Sequence, residues 1–424
     1  MSTLVQDVLA ASPRTLGGKA PLVLAGLGVG GLGLGFFGGQ PMAGWVALLV
    51  STVVVVGLGM FGALLSAIFQ MTNAHWGRPY RRLAEASAAL MPLGLALTVI
   101  VVAGAGHYLP WLHGHKELGG EKAIWLARGF WSLRVLLSLV IAYGVGLAFL
   151  YYSVRRDFCV AQVRERYTGR LGAWLGRGIG DAEEQRCNAR LTTLAPVVAI
   201  AFGLCFSMLG FDLIMALEPD WFSTLFGAWY FISHLLNGLA LLATVTIALQ
   251  RSLPLDRYLT KVRQGDLATL LLAFVLVNTD FFWSQYLTIW YSHVPEETGY
   301  VVKRTMEFDR PWAGLSYVSL ACFFVIPVVA LLFRRVKRTA VPLTIVALVV
   351  LSGVVLARFL EIAPALIELS PDWTAADFLR PLVATVLVLA GCAGIGWRLY
   401  RGLLTAVPIM AVNDPVFVET FSDH

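Results

Sequence analysis

The sequence predicts an all-α polytopic membrane protein with about ten transmembrane helices. Two observations carry this. Of the 424 residues, 58% are hydrophobic and only 14% are charged, whereas a soluble chain of this size carries roughly 25% charged residues. Apolar runs of about 20 residues, the length that crosses a bilayer, also recur from end to end. No stretch is long and polar enough for a separate soluble domain, so residues 1–424 read as one membrane domain.

The expected spans lie near residues 21–38, 43–70, 83–104, 125–152, 192–218, 223–250, 267–293, 311–333, 341–369 and 379–397. Asp7, Arg14 and Lys19 spoil a cleavable leader, so span one reads as a retained helix. It contains a G-x-G-x-x-G at Gly26, Gly28 and Gly31, and span two has another at Gly57, Gly59 and Gly62. Neither follows a strand, so these glycines predict close helix packing rather than a dinucleotide site. Loop 105–124 carries His107, His113 and His115. The H-x-H of His113 and His115 could hold a metal, but no third ligand lies close to that pair in sequence, so a solvated loop with no metal is expected. Loop 153–191, with RERYTGRLGAWLGR, suits a short helix on an anionic membrane surface. A PDW triplet ends span five at Pro219 and recurs at Pro371, after span nine. This fits two four-helix units, 43–218 and 223–369, with a peripheral helix at each end. It fits equally well a Pro/Asp device for ending helices. The tail, 398–424, is too polar to span and either rests on a neighbour or hangs free.

The net charge of +6 does not point to nucleic acid, because its placement along the chain matters more than its total. With a cytoplasmic N-terminus, inner segments hold 23 of the 32 Lys and Arg, which puts both termini in the cytoplasm. Trp45, Trp111, Trp221, Trp290, Trp312 and Trp373 then fall near outer ends, where indole rings favour the interface. The five cysteines form no CxxC, so neither a c-type haem nor an iron–sulfur cluster held by this chain is expected. His234 is mid-span while His75, His107 and His293 lie near ends, so a bis-histidine haem is not expected either.

Polar residues inside the spans are the candidate chemistry, because lipid does not tolerate them without a reason. They are Arg134, Asp212, His234, Asn237, Asn278, Asp280, Arg358 and Glu361. The stretch 278–300 adds Gln285, Tyr286 and His293, then an acidic mouth at Glu296 and Glu297. Asp280, set among aromatics, leads the candidates. Arg358 and Glu361 share a helix face and can pair. Arg134 needs an acidic partner, with Asp212, Asp280 or Glu361 in reach. Each residue also has a plainer reading, as a hydrogen-bonded packing group or a helix-locking ion pair.

FDLIMALEPDWFSTLFGAWYF (211–231), FFWSQYLTIWYSHVPEETGYVVKR (281–304), FRRVKRT (333–339) and the NDP at 413–415 resemble one family of membrane subunits. These are the NrfD-like, polysulfide-reductase-C-like proteins, and within them the ActF-type subunit of bacterial alternative complex III. The resemblance implies two four-helix bundles flanked by peripheral helices, in a bacterial cytoplasmic (inner) membrane. It implies no redox cofactor in this chain, with haem c and iron–sulfur clusters in partner subunits and a second NrfD-like subunit alongside. In that family the quinol site beside the cluster is placed in the second subunit. No family motif maps a catalytic residue, so Asp212, His234, Asp280 and the other candidates stand on intramembrane polarity alone.

The expected function is therefore a membrane subunit of a quinol:electron-acceptor oxidoreductase, shaping a quinol pocket or a proton path near the outer face. A quinol releases two protons on oxidation, which suits a carboxylate or histidine near outer water. A secondary transporter and a purely structural anchor are the alternatives. A transporter should show paired helix interruptions at mid-membrane.

Overall fold

The computed structural model describes residues 5–6, 8–9, 18–113, 119–250, 257–292, 294–307 and 309–422. Among these residues there is no strand, and ten helices are long and apolar enough to cross a membrane. The protein is an all-α, multi-pass membrane protein. The spans are Ala20–Phe37, Met42–Met71, Arg78–Ala103, Arg128–Asp157, Glu183–Leu217, Phe226–Gln250, Lys261–Ser292, Pro311–Leu332, Ala340–Leu366 and Ala375–Ala406. They are named one to ten in that order.

Span two is the hub. Its run of Val, Ala, Leu, Ser and Gly is apolar all round, the pattern of a helix enclosed by others, and 94% of its central stretch is buried. It packs against spans one, three, four, five, six, nine and ten. Spans two to five pack on one another, as do spans six to nine, and the two groups meet where span six lies on spans two and five and span nine lies on span two. The first and last spans lie against each other rather than at opposite ends. Glycine makes that approach possible: a Cβ on Gly28 would stand 2.7 Å from the Cα of Gly391. The glycines of both G-x-G-x-x-G stretches sit in helices, as the packing reading requires.

Two spans are interrupted. Span three runs Arg78–Glu85, then a 3-10 turn at Ala86–Leu90, then Met91–Ala103. Pro92 lacks an amide proton and its ring crowds the carbonyl of residue 88, which breaks the α-helical ladder there. Span eight passes through a π-helical turn at Ala321–Val325, just ahead of Pro327. Such turns absorb the bond that a proline cannot make.

Most arginines of the inner loops are exposed or half-buried, but one group of them is not. Arg78, Arg81, Arg82 and Arg156 are each about 1% exposed or less, and they gather at the end of the bundle where the tail returns. Asp414 lies 2.9 Å from Arg78, 2.6 Å from Arg81 and 2.8 Å from Arg156. Arg82 pairs with Asp157 at 2.5 Å and also with Glu85. Ser66 and Ser153 each donate to Glu85 at 2.6 Å. Asn413 donates its amide to Asp157 at 3.0 Å and its side chain to the Arg156 carbonyl at 2.9 Å. The tail therefore rests on the bundle as a structural plug, with Ile409–Val412 and Phe417 in the core. Loop 158–182 holds two short helices, Ala161–Arg166 and Arg170–Leu175, with Trp174 half exposed.

The tryptophans depart from a simple interfacial belt. Trp111, Trp221 and Trp312 are buried inside the bundle, while Trp290 faces outward. A buried indole N–H can find its acceptor inside a packed core: Trp111 donates to the Leu126 carbonyl at 3.0 Å.

Burial alone would push Asp414 up, but Arg156, Arg81 and Arg78 hold its carboxyl well below the usual carboxylate range. A depressed carboxylate stabilises the fold at every pH above its unfolded value, about 3.9, and that stabilisation disappears as pH falls through the folded value. Asp414→Asn should lower the melting temperature at pH 7, reflecting a loss of about 3–5 kcal/mol for breaking a buried ion pair. In detergent melts, the gap between wild type and variant should stay constant from pH 8 to about 5 and narrow below about 4.

Candidate functional site

At the end of the bundle opposite the tail, the structure encloses a partly open cavity of about 100 Å³. A space of roughly 10–15 Å³ already holds a water, so this one has room for several waters or a small ring. Its walls come from six elements. The loop after span five supplies Trp221 and span six Trp229. Span seven supplies Phe282, Gln285, Tyr286 and Ile289. The amphipathic helix Pro295–Thr305 supplies Tyr300, Val301, Arg304 and Thr305. Span eight supplies Ser316, Ser319, Leu320 and Phe323, and span nine Ala357, Leu360 and Glu361. Phe323 sits on the π-helical turn, a device often found where a helix lines a functional site.

The aromatic wall is ordered. Trp221 stacks on Tyr300 with ring centres 3.7 Å apart and planes 8° apart. The Arg304 guanidinium lies 3.6 Å over the Tyr300 ring, close enough for the ring face to attract the cation. Arg304 donates to the carbonyls of Leu360 at 2.9 Å and Glu361 at 3.2 Å, and to the Glu218 carboxylate at 2.7 Å. Burial works against the Arg304 charge, but Tyr300 and Glu218 outweigh it and raise the guanidinium above its ordinary value. Burial pushes the Tyr300 phenol up, so it stays protonated.

Glu361 is the carboxylate in this wall. It is 4% exposed, and its Oε1 lies 2.8 Å from Arg358 Nη2. The contact is electrostatic only, because neither carboxylate oxygen makes a hydrogen bond within the chain. Arg358 rests over Trp229 at 4.8 Å and Tyr230 at 5.4 Å. Tyr230 in turn meets His234 edge-on at 4.4 Å. The Tyr230 hydroxyl, His234 Nε2 and Asn237 Oδ1 are buried without hydrogen-bond partners. Buried polar atoms are almost always bonded, so these three are exceptions among the described residues, and none of the three residues lines the cavity. His234 fits its place because Gly57 faces it: a Cβ at that position would come within 2.0 Å of its Nδ1.

The other sequence candidates fall elsewhere. Arg134 takes Asp212 as its partner, through Nε at 3.1 Å and Nη2 at 2.5 Å. It donates its third nitrogen to the Trp125 carbonyl at 2.7 Å and stacks over the Trp125 ring at 3.8 Å. Trp131 donates to the Asp212 carbonyl at 2.8 Å. This pair is saturated and locks span four to span five, and neither residue lines the cavity. Asn278 is buried with its carbonyl oxygen unbonded. Asp280 does not face the bundle interior. It is exposed on the outer face of span seven and lines no part of the cavity. His293 and His115 lie outside the described residues, as do the side chains of His113 and Glu296. Among the described residues, no cluster of His, Cys, Asp or Glu could hold a metal ion.

Arg304, Tyr300 and Glu218 are the members that intramembrane polarity did not select. Lys303 and Arg304 read as outer-loop charges, yet Arg304 is 5% exposed. The signal was the i, i+4 spacing of Tyr300 and Arg304, which puts both on one face of a helix that could fold back on the bundle.

Neither a protein-family model nor a curated protein matches the chain.

If Arg134 and Asp212 serve only to lock helices, Arg134→Met should cost about 3–5 kcal/mol by stranding a buried carboxylate. The double variant with Asp212→Leu should recover most of that loss. Thermal melts of the two variants in the same detergent measure the difference.

Proposed function

We propose that this chain is the membrane subunit of a quinol:electron-acceptor oxidoreductase of the alternative complex III type, and that the cavity takes the quinol ring or the protons it releases. The observation that carries the reading is Glu361, a buried carboxylate with no hydrogen bond from the chain, in the wall of an aromatic-lined cavity. Oxidation of a quinol yields the quinone, two electrons and two protons. The electrons pass to haem or iron–sulfur partners. The protons need an acceptor that can be reached from the ring and that opens to water. Glu361 supplies the acceptor. Arg304 spans from the Glu361 backbone to Glu218, whose side chain is 23% exposed, so Glu218 is the exit. Trp221, Trp229, Phe282 and Phe323 provide the flat apolar walls that a quinone ring requires. In this reading the Glu218 end faces the outer side of a bacterial cytoplasmic membrane, and the tail end faces the cytoplasm. The strong excess of Lys and Arg on the tail side supports that orientation.

A transporter accounts for less of the structure. Its binding site would call for helix interruptions at equivalent places in two repeats. The 3-10 turn lies in span three and the π-helical turn in span eight, which are the second helix of the first group and the third of the second.

In the intact complex, Glu361→Gln should lower quinol oxidation at least tenfold. Ala357→Phe, which fills the cavity, should abolish labelling of this chain by an azidoquinone. Wild-type turnover together with undiminished labelling in both variants would remove the cavity from the reaction and leave a structural anchor.

A further inference from the structure

Span seven presents to the outside a seam at alternating spacings of three and four: Ala273, Leu276, Asp280, Trp283, Leu287 and Trp290 are all exposed. That spacing is the one by which one helix packs along another. Asp280 lies twelve residues before Ser292, about 18 Å along the helix axis, so it sits well inside a hydrocarbon layer about 30 Å thick. Among the described residues it has no ion pair and no hydrogen-bond partner, and its neighbours on the seam are apolar. The outward face of span five shows what a lipid-facing seam looks like in this protein: Val197, Ile200 and Leu204 are exposed and wholly apolar. A carboxylate facing hydrocarbon is costly unless a donor meets it.

We infer that the span-seven seam is the docking surface for a transmembrane helix of a different chain, and that this helix brings a basic side chain to Asp280. A second copy of this chain is the poorer occupant, because a two-fold contact along the seam would set Asp280 against Asp280. The apolar positions give the length of contact, and the ion pair sets the register, as a single polar position does in paired helices. The inference stands whether or not the cavity takes a quinol, since Asp280 lies outside it.

The test uses the full-length tagged chain in its native membranes. A benzophenone amino acid replaces Leu276 or Leu287, with Asp280 intact, and the cross-linked peptides are sequenced. Both positions should label one transmembrane segment of another chain, and that segment should carry Arg, Lys or His level with Asp280. Separately, Asp280→Asn should reduce recovery of that chain at least tenfold while the variant itself stays monodisperse. Asp280→Arg should be rescued by an acidic residue at the partner's basic position. Cross-links only to lipid, to a second copy or to a segment without a basic residue would overturn the inference. So would unchanged recovery of the partner with Asp280→Asn.

Discussion

A charge inside hydrocarbon must be met by an opposite charge, a hydrogen-bond donor or water, and the placement of the ionisable groups in this bundle follows from that requirement. Three solutions appear side by side. At the tail end, four arginines and three carboxylates form one buried network closed by Asp414. Between spans four and five, Arg134 and Asp212 saturate each other. At the opposite end, Arg358 and Glu361 are close but leave the carboxylate oxygens without hydrogen bonds, and Glu361 is among the residues that line the cavity. The contrast lies in hydrogen bonding: the carboxylates that fasten helices together are bonded at their oxygens, and that of Glu361 is not.

The cavity owes its shape to departures from regular helix packing. Helix Pro295–Thr305 does not cross the membrane but folds back on the bundle, and Arg304 pins it to the carbonyls near the end of span nine. The π-helical turn rotates Phe323 into the same space. The hub is built on the opposite principle, since span two carries glycines at several close approaches, as at Gly57 beside His234.

Much of this was legible in the sequence. The ten spans follow from apolar runs, whose length is set by the bilayer and needs no tertiary information. The Arg358–Glu361 pair follows from a three-residue spacing, and Asp212 was among the three acids open to Arg134. What stayed hidden was helical phase. Span seven is apolar on every side, so its periodicity could not say that Asn278 turns inward and Asp280 outward. The buried arginines were hidden for a related reason. A cluster such as Arg78, Arg81 and Arg82 reads as solvated loop charge until a carboxylate from more than 330 residues away is known to reach it. Distant pairings of that kind leave no local pattern.

That distance bears on biogenesis. Arg78, Arg81 and Arg156 leave the ribosome long before Asp414. While the spans are being threaded into the bilayer, these guanidinium groups lack the acid that later neutralises them. Hydrated and cationic at that stage, they are free to hold their loops on one side. Arrival of the tail then draws them into the interior, so the charges that guide insertion become the clasp that ends it.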